Sequence, residues 1–222
     1  MPQEGGLFIT IYQTTYAPFL RLLAEVPCEY AGHTPHFQSL VYHLLRWTWD
    51  RGLLPDMTED ELGLIATLSA YHDAGKTMLQ PTIIYKPGPL SPTELEQLKT
   101  HPAWGEFLVD LVIPELRGTT THRYACEICR WHHERWDGGG YPDGLKGKEI
   151  PRYVQVIGLA DAYDALVAPR CYKAPIRHRR AANMILGGEC GAFWPPLLTV
   201  FAERASSIQP EVYDEPPDPP EW

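Results

Sequence analysis

Two adjacent histidines, His132 and His133, open a stretch that reads HHERWDGGGYPD. Both imidazole rings offer neutral nitrogen ligands to a metal ion near neutral pH. Three consecutive glycines follow and lead to Tyr141-Pro142, so the backbone can adopt angles that other residues avoid before proline fixes the exit. The stretch therefore favours a metal site that leads directly into a shaped loop. The alternative is a surface helix end followed by a flexible turn.

Further histidines and aspartates interrupt helical stretches at positions where a core-facing side chain would normally be apolar. With the histidine pair, they are His36, His72, Asp73, His101, His132, His133 and Asp161. A single buried histidine is more often a hydrogen-bonded core residue than a ligand, but so many on separate helices are hard to explain as independent accidents. Imidazoles with a few carboxylates suit iron, manganese or zinc, and the set exceeds what one ion needs. It predicts two ions bridged by a shared carboxylate, that of Asp73.

Apolar residues at helical spacing predict the elements that would position these side chains. Helices are predicted over residues 36–49 and 59–71, from residue 92 towards His101, over residues 119–134 and from Pro151 onward. The second begins at a capping box formed by Thr58 and Glu61. Few segments alternate as strands do, so the predicted fold class is all-α.

The composition is that of a globular protein, with 222 residues of which 44% are hydrophobic. A net charge of −9 argues against nonspecific binding to DNA or RNA, although divalent cations could reverse the local field around a phosphate substrate. Five cysteines are an odd number for a disulfide framework. Cys126 and Cys129, on one helical stretch, are interpreted as packing residues.

The chain divides into three parts by composition. Residues 1–31 form a lead-in expected to pack on the core, residues 32–205 form one helical domain, and residues 206–222 form an acidic, proline-rich tail expected to be disordered. The first residues lack a basic segment followed by a long apolar run, and no membrane-spanning stretch is readable. The sequence therefore predicts a cytoplasmic protein with no membrane contact.

The sequence resembles the HD-GYP domain, a branch of the HD superfamily of metal-dependent phosphohydrolases. The matching motifs are HDAGK from His72, KPGPL from Lys86, HPAWG from His101, HHERWDGGGYPDGLKGKEIP from His132, ADAYDAL from Ala160 and RCYK from Arg170. The resemblance covers about residues 33–204, and the long central motif is highly specific, whereas a bare histidine–aspartate pair would be weak.

This resemblance implies a helical bundle with a metal site in its core. The implied activity is hydrolysis of cyclic di-GMP to pGpG or GMP through a hydroxide that bridges two metal ions. The ligands it implies are His72, Asp73, His101, His132, His133 and Asp161, with His36 as the first histidine of the set. His33 and His43 compete with His36 for that position. Two divalent ions are expected, with iron favoured by the nitrogen-rich ligands and manganese as a substitute.

The resemblance also implies roles around the metal ligands. Lys76 would contact the scissile phosphate beside the catalytic Asp73, and Arg170 and Lys173 would bind substrate phosphate or guanine. Residues Gly140, Tyr141 and Pro142, called the GYP loop here, would shape the site or contact a protein such as a diguanylate cyclase. Two alternatives stay open: a phosphohydrolase acting on another cyclic dinucleotide or phosphoester, and a non-catalytic module that senses cyclic di-GMP or acts as an adaptor.

Overall fold

The structure, a computed structural model, describes residues 34–168 and 175–213. Within these ranges the chain is helical and contains no β-strand, which confirms the all-α prediction. The α-helices are α1 (Thr34–Asp50), α2 (Glu59–Leu68), α3 (Pro81–Ile84), α4 (Pro92–Leu98), α5 (His101–Val112), α6 (Thr120–Trp131), α7 (Arg152–Val167), α8 (His178–Leu186) and α9 (Pro195–Val212). Short 3₁₀ turns occupy Ser69–Tyr71, Ala74–Met78, Pro114–Leu116 and Gly147–Glu149.

Two helices begin where the local sequence predicts. At α2 the Thr58 hydroxyl accepts a hydrogen bond from the Glu61 N–H, while the Glu61 carboxylate accepts one from the Thr58 N–H at 2.8 Å. Ser91 and Glu94 form the same capping box at α4, and Pro92 occupies the first turn, where its missing N–H costs nothing. These caps fix the segments that precede His72 and His101.

Two helices end earlier than the apolar periodicity predicts. α2 stops at Leu68 and continues as a 3₁₀ turn, and α6 stops at Trp131 rather than near residue 134. A histidine follows each end: His72 Nδ1 lies 2.8 Å from the Ser69 carbonyl oxygen, and His132 Nδ1 lies 3.0 Å from that of Ile128. Backbone carbonyls at helix ends lack partners inside the helix, so these histidines satisfy them.

Helix α7 lies at the centre of the core. Its apolar residues are buried around almost its whole circumference, from Tyr153 to Val167. A helix of this kind is typical of a core element with neighbours on several sides, and α7 packs against α1, α6 and α8. Asp161 therefore projects from the most enclosed helix of the described structure.

A glycine allows the segment that carries Asp73 to lie directly against α5. A Cβ atom on Gly75 would lie 1.9 Å from the His101 carbonyl oxygen and 2.4 Å from the Gly105 nitrogen. No side chain fits in that space, so only glycine permits this approach. The contact brings Asp73 next to His101, which opens α5.

The last helix extends further than the predicted domain boundary. α9 continues to Val212, so residues 206–212 are helical, and the expected start of a disordered tail at residue 206 is too early. The Tyr213 hydroxyl donates a hydrogen bond to Asp164 at 2.8 Å and so ties the end of α9 to α7. The predicted lead-in and residues 214–222 lie outside the described residues. No helix in the described ranges is long and apolar enough to cross a membrane.

Candidate metal centre

Four of the predicted ligands meet at one point between the helices. Asp73, His101, His132 and His133 each offer a ligand atom, and these atoms all lie within 4.8 Å of one another. His101 comes from the first residue of α5, and the two adjacent histidines come from the end of α6. His101 and His132 are buried, with 1% and 0% exposure. The fold thus brings together residues that are distant in sequence.

The ring nitrogens of three histidines are oriented by the backbone. Nδ1 lies 2.8 Å from the Ser69 carbonyl oxygen in His72, 2.8 Å from that of Leu98 in His101, and 3.0 Å from that of Ile128 in His132. A carbonyl oxygen can only accept, so each Nδ1 carries a proton, and in a neutral ring Nε2 then keeps a lone pair. The Nε2 atoms of His101 and His132 lie 3.3 Å apart. Two lone pairs that face each other at this distance favour a cation between them.

Asp73 divides its two carboxylate oxygens between two groups of side chains. Its Oδ1 lies 3.2 Å from His101 Nε2 and 3.7 Å from His132 Nε2. This oxygen is buried and has no hydrogen-bond partner in the described structure, as expected when both imidazole nitrogens carry lone pairs. Its Oδ2 accepts a hydrogen bond from Lys76 Nζ at 2.5 Å and lies 3.4 Å from His72 Nε2.

Asp161 lies on the side of His72. Its Oδ1 is 3.6 Å from His72 Nε2, and its Oδ2 is 3.9 Å from His133 Nδ1. The six side chains therefore form two groups around Asp73. We call His101, His132 and His133 with Asp73 Oδ1 the three-histidine half, and His72 and Asp161 with Asp73 Oδ2 the two-ligand half.

The structure does not bring His36 to this cluster. His36 is exposed, its Nδ1 lies 3.3 Å from the Val212 carbonyl oxygen, and its ring stacks on Tyr213. The buried neighbour Phe37 instead places its ring 4.7 Å from that of His72. His43 Nδ1 contacts the Ser39 carbonyl oxygen within its own helix. His33, the other competing candidate, lies outside the described residues.

The apolar stripe of α1 explains this difference. Phe37 is followed by Leu40, Val41 and Leu44, all buried, at the spacing of one helix face. Adjacent residues of a helix point in different directions, so a stripe that includes Phe37 turns His36 away from the core. The sequence contains this signal, because the apolar spacing places Phe37, and not His36, on the buried face of the helix.

Their surroundings favour neutral rings in His132 and His133 and an ionised carboxylate in Asp73, which are the forms that bind metal ions. Burial lowers the pKa of His132 to about 4, and burial with its neighbour His132 lowers the pKa of His133 well below its usual value. Burial raises the pKa of Asp73, but Lys76 and His72 outweigh it, and the net pKa lies well below the usual range. Neutral imidazoles and ionised carboxylates near pH 7 are the ligand forms that bind cations.

The electrostatic field of the two-ligand half is negative. Burial lowers the pKa of His72, but the carboxylates of Asp73 and Asp161 outweigh it and raise the pKa to about 10. The pKa of Asp161 is lowered, because contacts with His72 outweigh burial. The same field attracts any cation. The nitrogen-rich donor set, the facing lone pairs and the unpartnered Asp73 Oδ1 together fit a bound transition metal ion.

The GYP loop forms one wall of the metal centre. The Tyr141 ring stacks on His133 with centroids 4.6 Å apart, and the Tyr141 N–H donates to the His133 carbonyl oxygen at 3.3 Å. A Cβ on Gly140 would lie 2.4 Å from the Arg135 nitrogen, so only glycine fits there. The loop therefore lies directly against His133 at the metal centre.

Glu134 anchors this loop, a role that the sequence did not reveal. Its carboxylate accepts hydrogen bonds from the backbone N–H groups of Asp143, Gly144 and Leu145 at 2.7, 3.1 and 2.9 Å. The side chain is only 4% exposed. In the sequence, the signal was an acidic residue next to a glycine-rich segment. Such a carboxylate can accept hydrogen bonds from several backbone N–H groups of the segment.

Two lysines lie next to the centre. Lys76 contacts Asp73, as described above. Lys99 Nζ lies 5.9 Å from the centroid of the Tyr141 ring and was not singled out from the sequence. Arg170 and Lys173, the predicted substrate-binding residues, lie outside the described residues.

The described structure thus places a cluster of histidines and aspartates inside an all-helical fold. A sequence model of the HD domain family matches residues 32–189. The chain therefore belongs to the HD domain family.

Several proteins named as cyclic dinucleotide phosphodiesterases are similar in sequence to this chain. A probable cyclic di-GMP phosphodiesterase of Vibrio cholerae is 40% identical over 132 residues, which cover 59% of this chain and 30% of that protein. A cyclic di-GMP phosphodiesterase of Thermotoga maritima is 37% identical over 204 residues, 90% of this chain and 52% of that protein. The 3'3'-cGAMP-specific phosphodiesterase 2 of Vibrio cholerae is 32% identical over 199 residues, 90% of this chain and 36% of that protein. The chain thus spans about half or less of these relatives' length.

A solved structure supports the fold. Bd1817, an HDG"Y"P protein from Bdellovibrio bacteriovorus, superposes with a TM-score of 0.55 at 18% identity, over 77% of this chain and 51% of that chain. This likeness bears on the helical architecture alone.

Proposed function

We propose that the chain is a metal-dependent phosphodiesterase that hydrolyses cyclic di-GMP to pGpG or GMP. The observation that carries this proposal is the position of Asp73, whose Oδ1 faces the imidazole nitrogens of His101 and His132 and whose Oδ2 faces that of His72. Such a carboxylate is suited to bridge two cations. The names of the similar proteins from Vibrio cholerae and Thermotoga maritima support a cyclic dinucleotide as the substrate.

Two divalent ions would occupy the two halves, with iron preferred and manganese as a substitute. Imidazole nitrogens with carboxylates suit these metals, whereas magnesium prefers oxygen ligands and retains its waters. The ions would neutralise the phosphate charge and lower the pKa of a bound water. Asp73 would bridge them, with the imidazoles of the three-histidine half on one side and His72 and Asp161 on the other.

The two halves would bind their ions with unequal strength. The three-histidine half has three imidazoles and one carboxylate oxygen, a set that can complete a tetrahedral shell. The two-ligand half has one imidazole and two carboxylates, and the apolar ring of Phe37 lies beside His72. His133, whose Nδ1 lies 3.9 Å from Asp161 Oδ2, is assigned to the other half. Solvent or the substrate phosphate would have to complete that shell. We therefore expect one ion to bind tightly and the second to bind weakly.

The chain's own groups would position the substrate and stabilise charge. Lys76 Nζ, which lies beside Asp73 Oδ2, is close enough to the centre to interact with a phosphate oxygen bound there. Arg170 and Lys173 are proposed to bind the other phosphate or a guanine edge, for which a planar guanidinium is well suited. Tyr141, stacked on His133, would limit the space on the side of the GYP loop.

A second substrate, 3'3'-cGAMP, is favoured by a specific observation. The cGAMP-specific relative matches over 90% of this chain, as far as the cyclic di-GMP phosphodiesterase of Thermotoga maritima does. Both dinucleotides carry two phosphodiesters that a two-ion centre could cleave, so the bases would decide the preference. A non-catalytic sensor or an adaptor for a diguanylate cyclase is the remaining alternative.

The test is anaerobic purification, metal analysis and turnover of both dinucleotides by one sample. We compare wild type with Asp73→Asn, and use Asp50→Asn, an equivalent change on the exposed end of α1, as the control. Metal-dependent turnover of cyclic di-GMP that is lost only in Asp73→Asn supports the proposal. Faster turnover of 3'3'-cGAMP selects the second substrate. Bound metal without turnover of either dinucleotide rejects the phosphodiesterase assignment.

A further inference from the structure

A second group of metal-binding side chains lies at the opposite end of the α5–α6 pair. Asp110 on α5 and His122 and Cys126 on α6 each offer a ligand atom, and these atoms lie within 4.8 Å of one another. His122 Nε2 is 2.9 Å from Asp110 Oδ1, and Cys126 Sγ is 3.8 Å from both ring nitrogens of His122. Asp110 is about 13 Å from His101 along α5 by the helix rise, so this group is separate from the metal centre.

The helix geometry aligns these three side chains. His122 and Cys126 are one turn apart, so they share a face of α6. Helix α5 packs closely on that face, because Gly105 leaves only 3.0 Å between the position of its missing Cβ and the Cβ of Cys129. Asp110 therefore lies opposite His122 across the helix interface. Cys126 packs against the hydrophobic core, as predicted, and its Sγ also lies beside the polar ring of His122.

The charges around Cys126 favour a cation. Burial raises the pKa of the Cys126 thiol to about 12, and the carboxylates of Asp110, Glu106 and Glu127 contribute to this shift. Arg117 partly balances Asp110: its Nε lies 3.4 Å from Oδ1, and it also donates to the Asp110 carbonyl oxygen at 3.0 Å. The carboxylates around the sulfur would attract a divalent cation, and the sulfur would bind it as a thiolate.

We propose that Asp110, His122 and Cys126 form a second metal site that binds zinc. Thiolate and imidazole ligands favour zinc, and three protein ligands leave the fourth tetrahedral position to solvent at this half-exposed location. Binding forms a metal–sulfur bond and releases the thiol proton to solvent, so affinity rises with pH. The ion would link α5 to α6 at the end far from His101 and His132 and would stabilise the helix pair that carries them.

Cobalt(II) substitution distinguishes this site from the metal centre. A cobalt–thiolate bond gives a charge-transfer absorption band in the near ultraviolet, whereas the metal centre offers only nitrogen and oxygen ligands among the described residues. The full-length protein is titrated with Co²⁺ under reducing, anaerobic conditions. We expect the band in wild type and its loss on addition of zinc. Cys126→Ser should abolish the band, and His122→Gln should weaken cobalt binding by more than about tenfold.

The control variants are Cys190→Ser, Cys171→Ser and Cys28→Ser, which should keep the band. Circular dichroism and thermal unfolding show whether each variant is folded. A wild-type protein that binds cobalt without the band, or a band that persists in folded Cys126→Ser, overturns the proposal. The proposal does not depend on phosphodiesterase activity, because its readout is the cobalt–thiolate absorption band.

Discussion

On one side of Asp73, Oδ1 faces the imidazoles of His101 and His132, with His133 close by. On the other side, Oδ2 faces a single imidazole, that of His72, accepts a hydrogen bond from Lys76, and shares that half with Asp161. Phe37 is buried next to His72, where a further ligand was expected. From this difference we expect the first half to hold an ion by protein ligands alone. We expect the other half to leave room in the coordination shell for solvent or substrate, as catalytic sites do.

The largest effect is expected from the residue that joins the halves. Asp73→Asn removes the negative charge from both and should lower turnover by roughly a thousandfold or more, since charge stabilisation at the reacting phosphate is lost. It should also reduce binding of both ions, as measured by metal analysis after gel filtration. Wild-type metal content in this variant would mean that Asp73 does not bridge the halves.

Matched substitutions should separate the two halves. His132→Gln should remove the tightly bound ion, whereas His72→Gln should keep about one ion per chain, because the three-histidine half stays intact. Metal analysis at low free metal concentration measures this difference. Equal loss of metal in both variants would show that the two halves do not differ in strength.

Phe37→His should strengthen metal binding in the two-ligand half. It places an imidazole beside His72, and we expect a second ion to bind tightly to this variant but not to Phe37→Leu, the apolar control. The leucine variant should lose only about 1 kcal/mol of unfolding free energy, because the change keeps the site apolar. Metal titration followed by calorimetry reports the number of tight ions. Two tight ions already in wild type would contradict the asymmetry and point to a ligand outside the described residues, with His33 the first to test.

The smallest effect is expected at the wall of the three-histidine half. Tyr141→Ala removes the ring that stacks on His133, and kcat/KM should fall by about tenfold or less, since an aromatic pair contributes about 0.5–1.5 kcal/mol. Tyr141→Phe keeps the ring and should retain activity. Metal content should not change in either variant. Loss of metal in Tyr141→Ala would show that the ring is needed to hold His133 in place for ligation.

Residue type and local pattern predicted much of the fold. The capping residues Thr58 and Ser91 indicated where two helices begin. The helical spacing of the apolar residues predicted an all-α domain. Helix ends were less predictable, because α2 and α6 stop where histidine rings bond to backbone carbonyls, and those bonds depend on the cluster that the histidines join.

The sequence by itself determined which side chains could ligate a metal, because imidazole and carboxylate chemistry belongs to the residue and the motifs stand in the chain. Tertiary structure decided which of them meet. His36 and Phe37 are neighbours in sequence, yet burial of the apolar stripe of α1 directs Phe37 to His72 and leaves His36 at the surface beside Tyr213. The packing of α1 against α2, α7 and α9 fixes that rotation, because burial of a whole helix face outweighs the preference of any single side chain.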